Sequence, residues 1–354
     1  MTNAPRIAVV GFAHSPHVDQ TFGTTNGVEM LMPCFAKLYA ELGISRTDID
    51  FWCSGSSDYL AGRAFSFISA IDSIGAVPPI HESHVEMDAA WALYEAWVKI
   101  ATGEVDLALA YGFGKPSAGN MDLTLALQTD PYTVAPLWPD ATSLAALQAR
   151  AGIDSGAWTE ADMAAVAART TGTSVEELLA APTTADPLRA HDSSRYTDGA
   201  AAIILASEDR ARELVANPAW ITGWDHRIDS PNFGARDLTE SPSTRLAGDA
   251  ALGAAGWGDN RAVDIAELYA PFTHQEIIIR KELRLPDSVR INPSGGALAA
   301  NPMFSAGLER IGFAAAAIIA GEANTAIAHA TSGPLLQQNM VVALSGDDTA
   351  KGEH

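Results

Sequence analysis

The feature that most constrains this chain is an alternation of short apolar runs with longer helix-like ones, which starts, breaks off and then starts again. Apolar, β-branched-rich runs predict strands over 6–12 (RIAVVGF), 50–54, 80–85, 106–112 and 198–206. Between them, helices are predicted over 28–42, closed by Gly43, over 64–74, and over 89–102 with Asp88 as N-cap. From 219 the pattern repeats: strands over 219–224, 264–269, 289–292, 325–330 and 339–344. The helices of this second run are expected from Ser241-Pro242 to about 255, from 273 to 283 with Thr273 and Glu276 as a capping box, and over 302–319. Alternating strands and helices pair in parallel with helices on both faces of the sheet.

Three segments match between the runs: 50–53 with 264–267, helix 89–102 with 302–319, and 106–112 with 325–332. Residues 115–195 have a different texture, with Pro131, Pro136, Pro139, Pro182 and Pro187, no strong strand, and helix starts at Thr159/Asp162 and Ser174/Glu177. The expected organisation is two similar halves, 1–218 and 219–354, with a loop or lid inserted in the first at about 115–195.

Composition narrows the function. A formal net charge of −21 argues against nucleic acid, whose phosphates it would repel, while leaving room for one anionic ligand held by local N–H groups. Two cysteines, Cys34 and Cys53, form neither a disulfide framework nor a zinc spacing, so no metal is expected. No apolar run approaches the roughly 20 residues of a membrane span, and residues 1–6 carry no leader pattern, so a cytoplasmic protein is expected.

Strand-to-helix junctions collect at one end of such a fold, and three of them carry unusual polar residues. These are His84 to Asp88, Tyr269 to His274, and Asn292 to Asn301, joined by a fourth turn, His329 to Gly333. Helix N-termini there would offer N–H groups and a positive dipole end to an oxyanion. Each residue also has a plainer reading. Glu86 and Asp88 suit a helix start by charge alone, His274 fits a first helical turn, and Asn301 before Pro302 is a good N-cap. Tyr269 fits a packed aromatic, and Cys34 and Cys53 fit inert buried thiols.

At these junctions the chain resembles the thiolase superfamily, and within it the sterol-carrier-type thiolases and thiolase-like "lipid-transfer proteins" of actinobacterial steroid side-chain degradation. Asn292-Pro293-Ser294-Gly295-Gly296 is similar to the family's NPSGG block, and Asp198-Gly199-Ala200-Ala201-Ala202 to its DGAAA block. The resemblance implies an α/β thiolase fold: two βαβαβαββ halves in a five-layered αβαβα core with an inserted loop domain. It also implies at least a dimer.

The departures bear on chemistry. In this alignment Glu86 stands where thiolases carry the acyl-accepting cysteine, and Tyr269 at the histidine of the HDCF/HEAF-type block. Asn301 replaces the histidine of the GHP block, and Ser332-Gly333-Pro334 lacks the second cysteine. Thiolysis needs a soft nucleophile and a base for the CoA thiol, so it is not expected. Retro-aldol cleavage of a β-hydroxyacyl-CoA needs a base, an oxyanion site and an acid, with no covalent intermediate.

The resemblance therefore implies such cleavage, in steroid or lipid side-chain degradation, with Tyr269 as acid/base, His274 nearby, and Glu86 or Asp88 as proton carriers. Asn301 belongs to the same set; Ser294, Gly295, Gly296, Ser332 and Gly333 would contact substrate or CoA. No cofactor is expected beyond coenzyme A as substrate carrier. Expected partners are a second copy or another thiolase-like chain, together with a small acyl-CoA-binding protein. The alternative is a non-catalytic subunit of a heteromeric thiolase, docking near residues 80–85.

Overall fold

A computed structural model describes residues 5–21, 25–61, 65–258 and 263–347. Ten strands form one sheet among the described residues. In chain order they are β1 (Ile7–His14), β2 (Phe51–Gly55), β3 (Glu82–Val85), β4 (Leu107–Gly114), β5 (Gly199–Ser207), β6 (Ala219–Ile228), β7 (Ile265–Leu268), β8 (Arg290–Ile291), β9 (Thr325–Ser332) and β10 (Gln338–Ser345). Their spatial order is β8-β7-β9-β10-β6-β1-β5-β4-β2-β3.

Counted within its own run, each half reads third, second, fourth, fifth, first. In both halves the second strand runs parallel to the third and fourth, and the later pairs are antiparallel. The halves join where β1 pairs antiparallel with β6. The repeat read from the sequence is therefore a repeat of topology.

The longer helices are α1 (Gly27–Leu42), α2 (Ala89–Ala101), α3 (Ala141–Ser155) and α4 (Glu160–Thr171) of the insertion, α5 (Pro242–Ala254), α6 (Thr273–Glu282) and α7 (Ala306–Ile319). Side chains alternate across a strand, and the alternation sorts them into three cores. Ala108 and Ala110 of β4, with Ala326 and Ala328 of β9, face α2 and α7. Leu107, Leu109 and Tyr111 face the opposite way, onto Leu31, Phe35 and Leu38 of α1. Ile327, Val341 and Ala343 face α5 and α6, with Trp158 and Met163 of the insertion packed against them. The layers are thus α1, half-sheet, α2 with α7, half-sheet, α5 with α6.

The middle layer explains two sequences, AAWALYEAWVKIA and AGLERIGFAAAAII. A helix pressed between two half-sheets is apolar nearly all round, and small side chains let it approach both. Gly112 shows how tight the fit is. A Cβ there would lie 2.4 Å from the Phe304 carbonyl oxygen, and one at Gly114 would lie 2.2 Å from that of Met303. The bare ends of β4 let the 303–304 segment cross, and the Phe304 carbonyl accepts the Ala89 N–H at 2.9 Å.

Several local expectations hold. Gly43 closes α1 in the left-handed conformation. Asp88 caps α2, Thr159 and Asp162 form a capping box on α4, and Ser174 caps Val175–Ala180. Others fail. Helix 302–319 begins four residues later, at Ala306, because Asn301–Pro302 pairs as a short parallel bridge with Tyr196–Thr197. Asn301 is therefore not an N-cap.

Thr273 and Glu276 form no capping box. Phe272 occupies the N-cap position, Thr273 Oγ1 donates to Asp192, and Glu276 pairs with Arg169. The stretch expected as one helix over 64–74 is a 3-10 turn, Ser66–Ala70, followed by Ile71–Ile74, and residue 64 lies outside the described residues. Among the described residues no helix is long and apolar enough to cross a membrane.

A Gly112→Val chain should lose about 1–3 kcal/mol or more of stability, because the atom in the way is backbone and cannot rotate aside. Urea unfolding of the variant beside the parent chain checks it.

Candidate active site

α2 and α7 come from different halves, yet their N-termini converge on one side chain. The Asp88 carboxylate accepts the Ala90 N–H at 2.9 Å, the Gly307 N–H at 2.9 Å and the Leu308 N–H at 3.0 Å. Gly307 must lack a side chain here, since a Cβ would lie 2.6 Å from Asp88 Oδ1. Burial pushes the Asp88 carboxyl up to about 6, against the downward pull of the three N–H groups.

Above this junction opens a cavity of about 550 Å³. Its buried floor holds Asp88, Tyr269 and Asn301; Glu86, Tyr196, Ser332 and Gly333 also line it. Part of the lining comes from the 115–195 insertion, including Leu125, Leu127 and Leu144. The insertion is thus part of the enclosure, and much of what it presents is apolar.

The Tyr269 hydroxyl donates to Asn301 Oδ1 at 2.8 Å, and Asn301 Nδ2 donates to Ser194 Oγ at 2.9 Å. The two bonds fix the amide's orientation. Burial pushes the Tyr269 hydroxyl well above its ordinary range, with the negative charge of Asp88 adding to it, so Tyr269 is a protonated donor near neutrality. Tyr196 is likewise raised by burial, to about 12.

Glu86 sits at the cavity's edge with its side chain nearly half exposed, at 45%. One oxygen accepts the Asp58 N–H at 2.6 Å, and the other lies 3.7 Å from His84 Nε2.

Of the residues singled out in the sequence, Glu86, Asp88, Tyr269, Asn301, Ser332 and Gly333 line this cavity. His274, Ser294, Gly295 and Gly296 do not. His274 points into the core, stacked on Trp158, with Nε2 3.2 Å from Gln148 Oε1. Burial drives its pKa down to about 3, which suits a neutral packed ring rather than a proton carrier.

The NPSGG loop is a structural turn. Asn292, Gly295 and Gly296 have φ values of 49°, 93° and 63°, so the glycines answer a left-handed backbone. Ser294 donates to Glu267 Oε2 at 2.7 Å, and Arg310 reaches the same carboxylate at 3.1 Å. Asn292 accepts the Leu268 N–H and donates to Glu276.

Asp198, of the second block, holds the loops at Thr21 and Ser117 by four hydrogen bonds. Neither cysteine lines the cavity. Burial pushes Cys34 up to about 12 and raises Cys53 further.

Tyr196 and Gln275 were missed. Tyr196 is brought to the site by the bridge to Asn301, which no local pattern announces.

With this geometry in hand, comparison places the fold among the thiolases. The crystal structure of human mitochondrial 3-ketoacyl-CoA thiolase superposes with a TM-score of 0.76 at 16% identity, covering 97% of this chain and 99% of that one. An Ltp2-ChsH2(DUF35) aldolase superposes at 0.79 and 17% identity, covering 98% and 100%.

Two curated acetyl-CoA acetyltransferases align over part of the chain. The Saccharomyces cerevisiae enzyme is 38% identical over 111 residues, which is 31% of this chain and 26% of the enzyme. The Methanothermobacter thermautotrophicus enzyme is 29% identical over 142 residues, covering 34% and 36%. The chain thus spans about a quarter to a third of the length of these relatives. No family model matches.

Burial lowers the pKa of both His274 and His329, to about 3 and about 4. The unfolded chain then binds more protons than the folded one below about pH 6.5. Stability is expected to fall as pH drops from there towards 3, by up to about 1.4 kcal/mol per pH unit for each ring. A His274→Phe chain should show a shallower fall, as chemical unfolding at stepped pH would reveal.

Proposed function

We propose that this chain binds an acyl-CoA thioester and cleaves a β-hydroxyacyl-CoA by retro-aldol chemistry, assisted by a partner subunit. The observation that carries this reading is the Tyr269–Asn301 pair, buried in an apolar-walled cavity whose lining contains no thiol. A thiolase fold without a thiol at the site lacks the group that would hold an acyl chain covalently. It retains what stabilises and protonates an enolate.

The step balances within the substrate. A carboxylate, for which Glu86 is the accessible choice, takes the proton of the β-hydroxyl. The Cα–Cβ bond breaks, its electron pair moves onto Cα and the thioester oxygen, and Cβ becomes a carbonyl. Tyr269, protonated and oriented by Asn301, delivers a proton to Cα, and the proton taken by the carboxylate returns through solvent in the cavity to restore the phenol. Backbone groups at Ser332–Gly333 line the wall where the thioester oxygen would rest. The products are a ketone or aldehyde and a shorter acyl-CoA, with no added water, oxidant or free CoA.

The leucines of the insertion favour a bulky apolar acyl group, in keeping with a steroid or other lipid side chain. The partner is proposed from the aldolase neighbour, whose name couples two components, and from β3, which ends the sheet with one edge unpaired among the described residues. A second thiolase-like chain or a small acyl-CoA-binding protein could bind there.

The test is turnover of a β-hydroxyacyl-CoA with a branched β-carbon, followed by mass spectrometry of the CoA products, with and without the partner. Tyr269→Phe should slow cleavage by roughly 10²–10⁴-fold. Adding free CoA should leave the rate unchanged. Full activity in Tyr269→Phe would remove Tyr269 from the mechanism. A rate requiring free CoA would return the chain to thiolysis, and product only through a cysteine-bearing partner would make it the supporting half of a heteromeric thiolase.

A further inference from the structure

Away from the cavity, β1 ends on His14, and the chain turns through Ser15-Pro16 to His17. The two imidazoles stack with centroids 4.9 Å apart, and His14 also packs against Phe12 and Phe313. Opposite them, in the first turn of α7, stands Glu309, whose side chain is 0% exposed. His17 Nε2 lies 2.9 Å from Glu309 Oε1. One ligand atom from each of His14, His17 and Glu309 lies within 4.8 Å of the others.

Two further facts point to an occupant. His14 Nδ1 is 2.8 Å from the Ser15 carbonyl oxygen, so that nitrogen carries the proton and Nε2 keeps a lone pair. A backbone carbonyl on the far ring nitrogen is the usual support of a metal-binding histidine. Among the described residues Glu309 Oε2 is buried without a hydrogen-bond partner, with the Arg310 guanidinium 3.5 Å away. Arg310 is shared with Glu267 at 3.1 Å, and all three side chains are at most 2% exposed. One guanidinium is thus shared between two buried carboxylates.

We propose that His14, His17 and Glu309 bind one divalent transition-metal ion, with zinc the best match. Two imidazoles and a carboxylate suit zinc, whereas magnesium and calcium ask for a shell of oxygens. The ion enters from the His side, where His17 is 20% exposed. It replaces the direct His17–Glu309 hydrogen bond, and any proton on His17 Nε2 passes to solvent. Three protein ligands leave a fourth position for water. The ion ties the end of β1, in the first half, to the start of α7, in the second, at Glu309, two residues from the Gly307 N–H that holds Asp88. This site is independent of the reaction proposed above.

A second group, Asp58, His84 and Glu86, also has ligand atoms close together. There, however, the carboxylates of Asp58 and Glu86 already accept backbone N–H groups. It serves as the control.

The experiment is calorimetric titration of the tag-free, chelator-stripped chain with zinc chloride. One equivalent should bind the parent chain and the His84→Ala variant alike. His17→Gln and Glu309→Gln should bind at least about tenfold more weakly. His17 is partly exposed, so its variant should fold, which far-UV circular dichroism confirms. Zinc-edge anomalous scattering from soaked parent crystals should place a peak among His14, His17 and Glu309. Absence of binding, undiminished binding in His17→Gln, loss in His84→Ala, or a peak elsewhere would each overturn the site.

Discussion

The arrangement depends on one buried carboxylate. Asp88 accepts N–H groups from the first turns of two helices that belong to different halves of the molecule. Each helix end presents unpaired donors and a partial positive charge, and a single anion answers both. Because α2 and α7 run between the same two half-sheets, joining their N-termini fixes where the sheets' ends lie relative to each other. The cavity opens at that junction, so its floor is set by the fold rather than by a mobile loop.

Tyr269 and Asn301 reach the floor by routes that reinforce one another. Tyr269 follows the last residue of β7, and Asn301 lies on the segment crossing towards α7, which Gly112 and Gly114 admit by having no side chains. The bridge to Tyr196–Thr197 pins that segment from the insertion side. The result is a phenol held protonated by burial, facing a cavity that excludes both cysteines. Such a phenol suits proton delivery to carbon better than capture of an acyl group.

Much of the architecture was legible because the alternation of apolar runs is a direct record of strand and helix faces. Even the topological repeat showed, since 50–53 and 264–267 fall on equivalent strands, each second from its end of the sheet. Caps next to clean helix starts, as at Asp88 and Thr159, were legible for the same local reason.

What misled was polarity at positions whose partners are distant in sequence. Asn301 carries a good local capping signature, yet Tyr269 and Ser194 claim its amide. Ser294 and the two glycines looked like a ligand loop, but Glu267, Arg310 and a left-handed backbone account for them. His274 resembled a site histidine and is a core ring facing Gln148. Tyr196 had no local pattern at all and was found only through the strand bridge.

The central claim is that this cavity stabilises an enolate at the α-carbon of an acyl thioester, with Tyr269 moving the proton. Hydrogen–deuterium exchange at the α-carbon of a saturated acyl-CoA in deuterated water measures that step by itself, without bond cleavage. The account predicts enzyme-dependent exchange that disappears in Tyr269→Phe; exchange at the parent rate in that variant, or none in the parent chain with its partner, would contradict it.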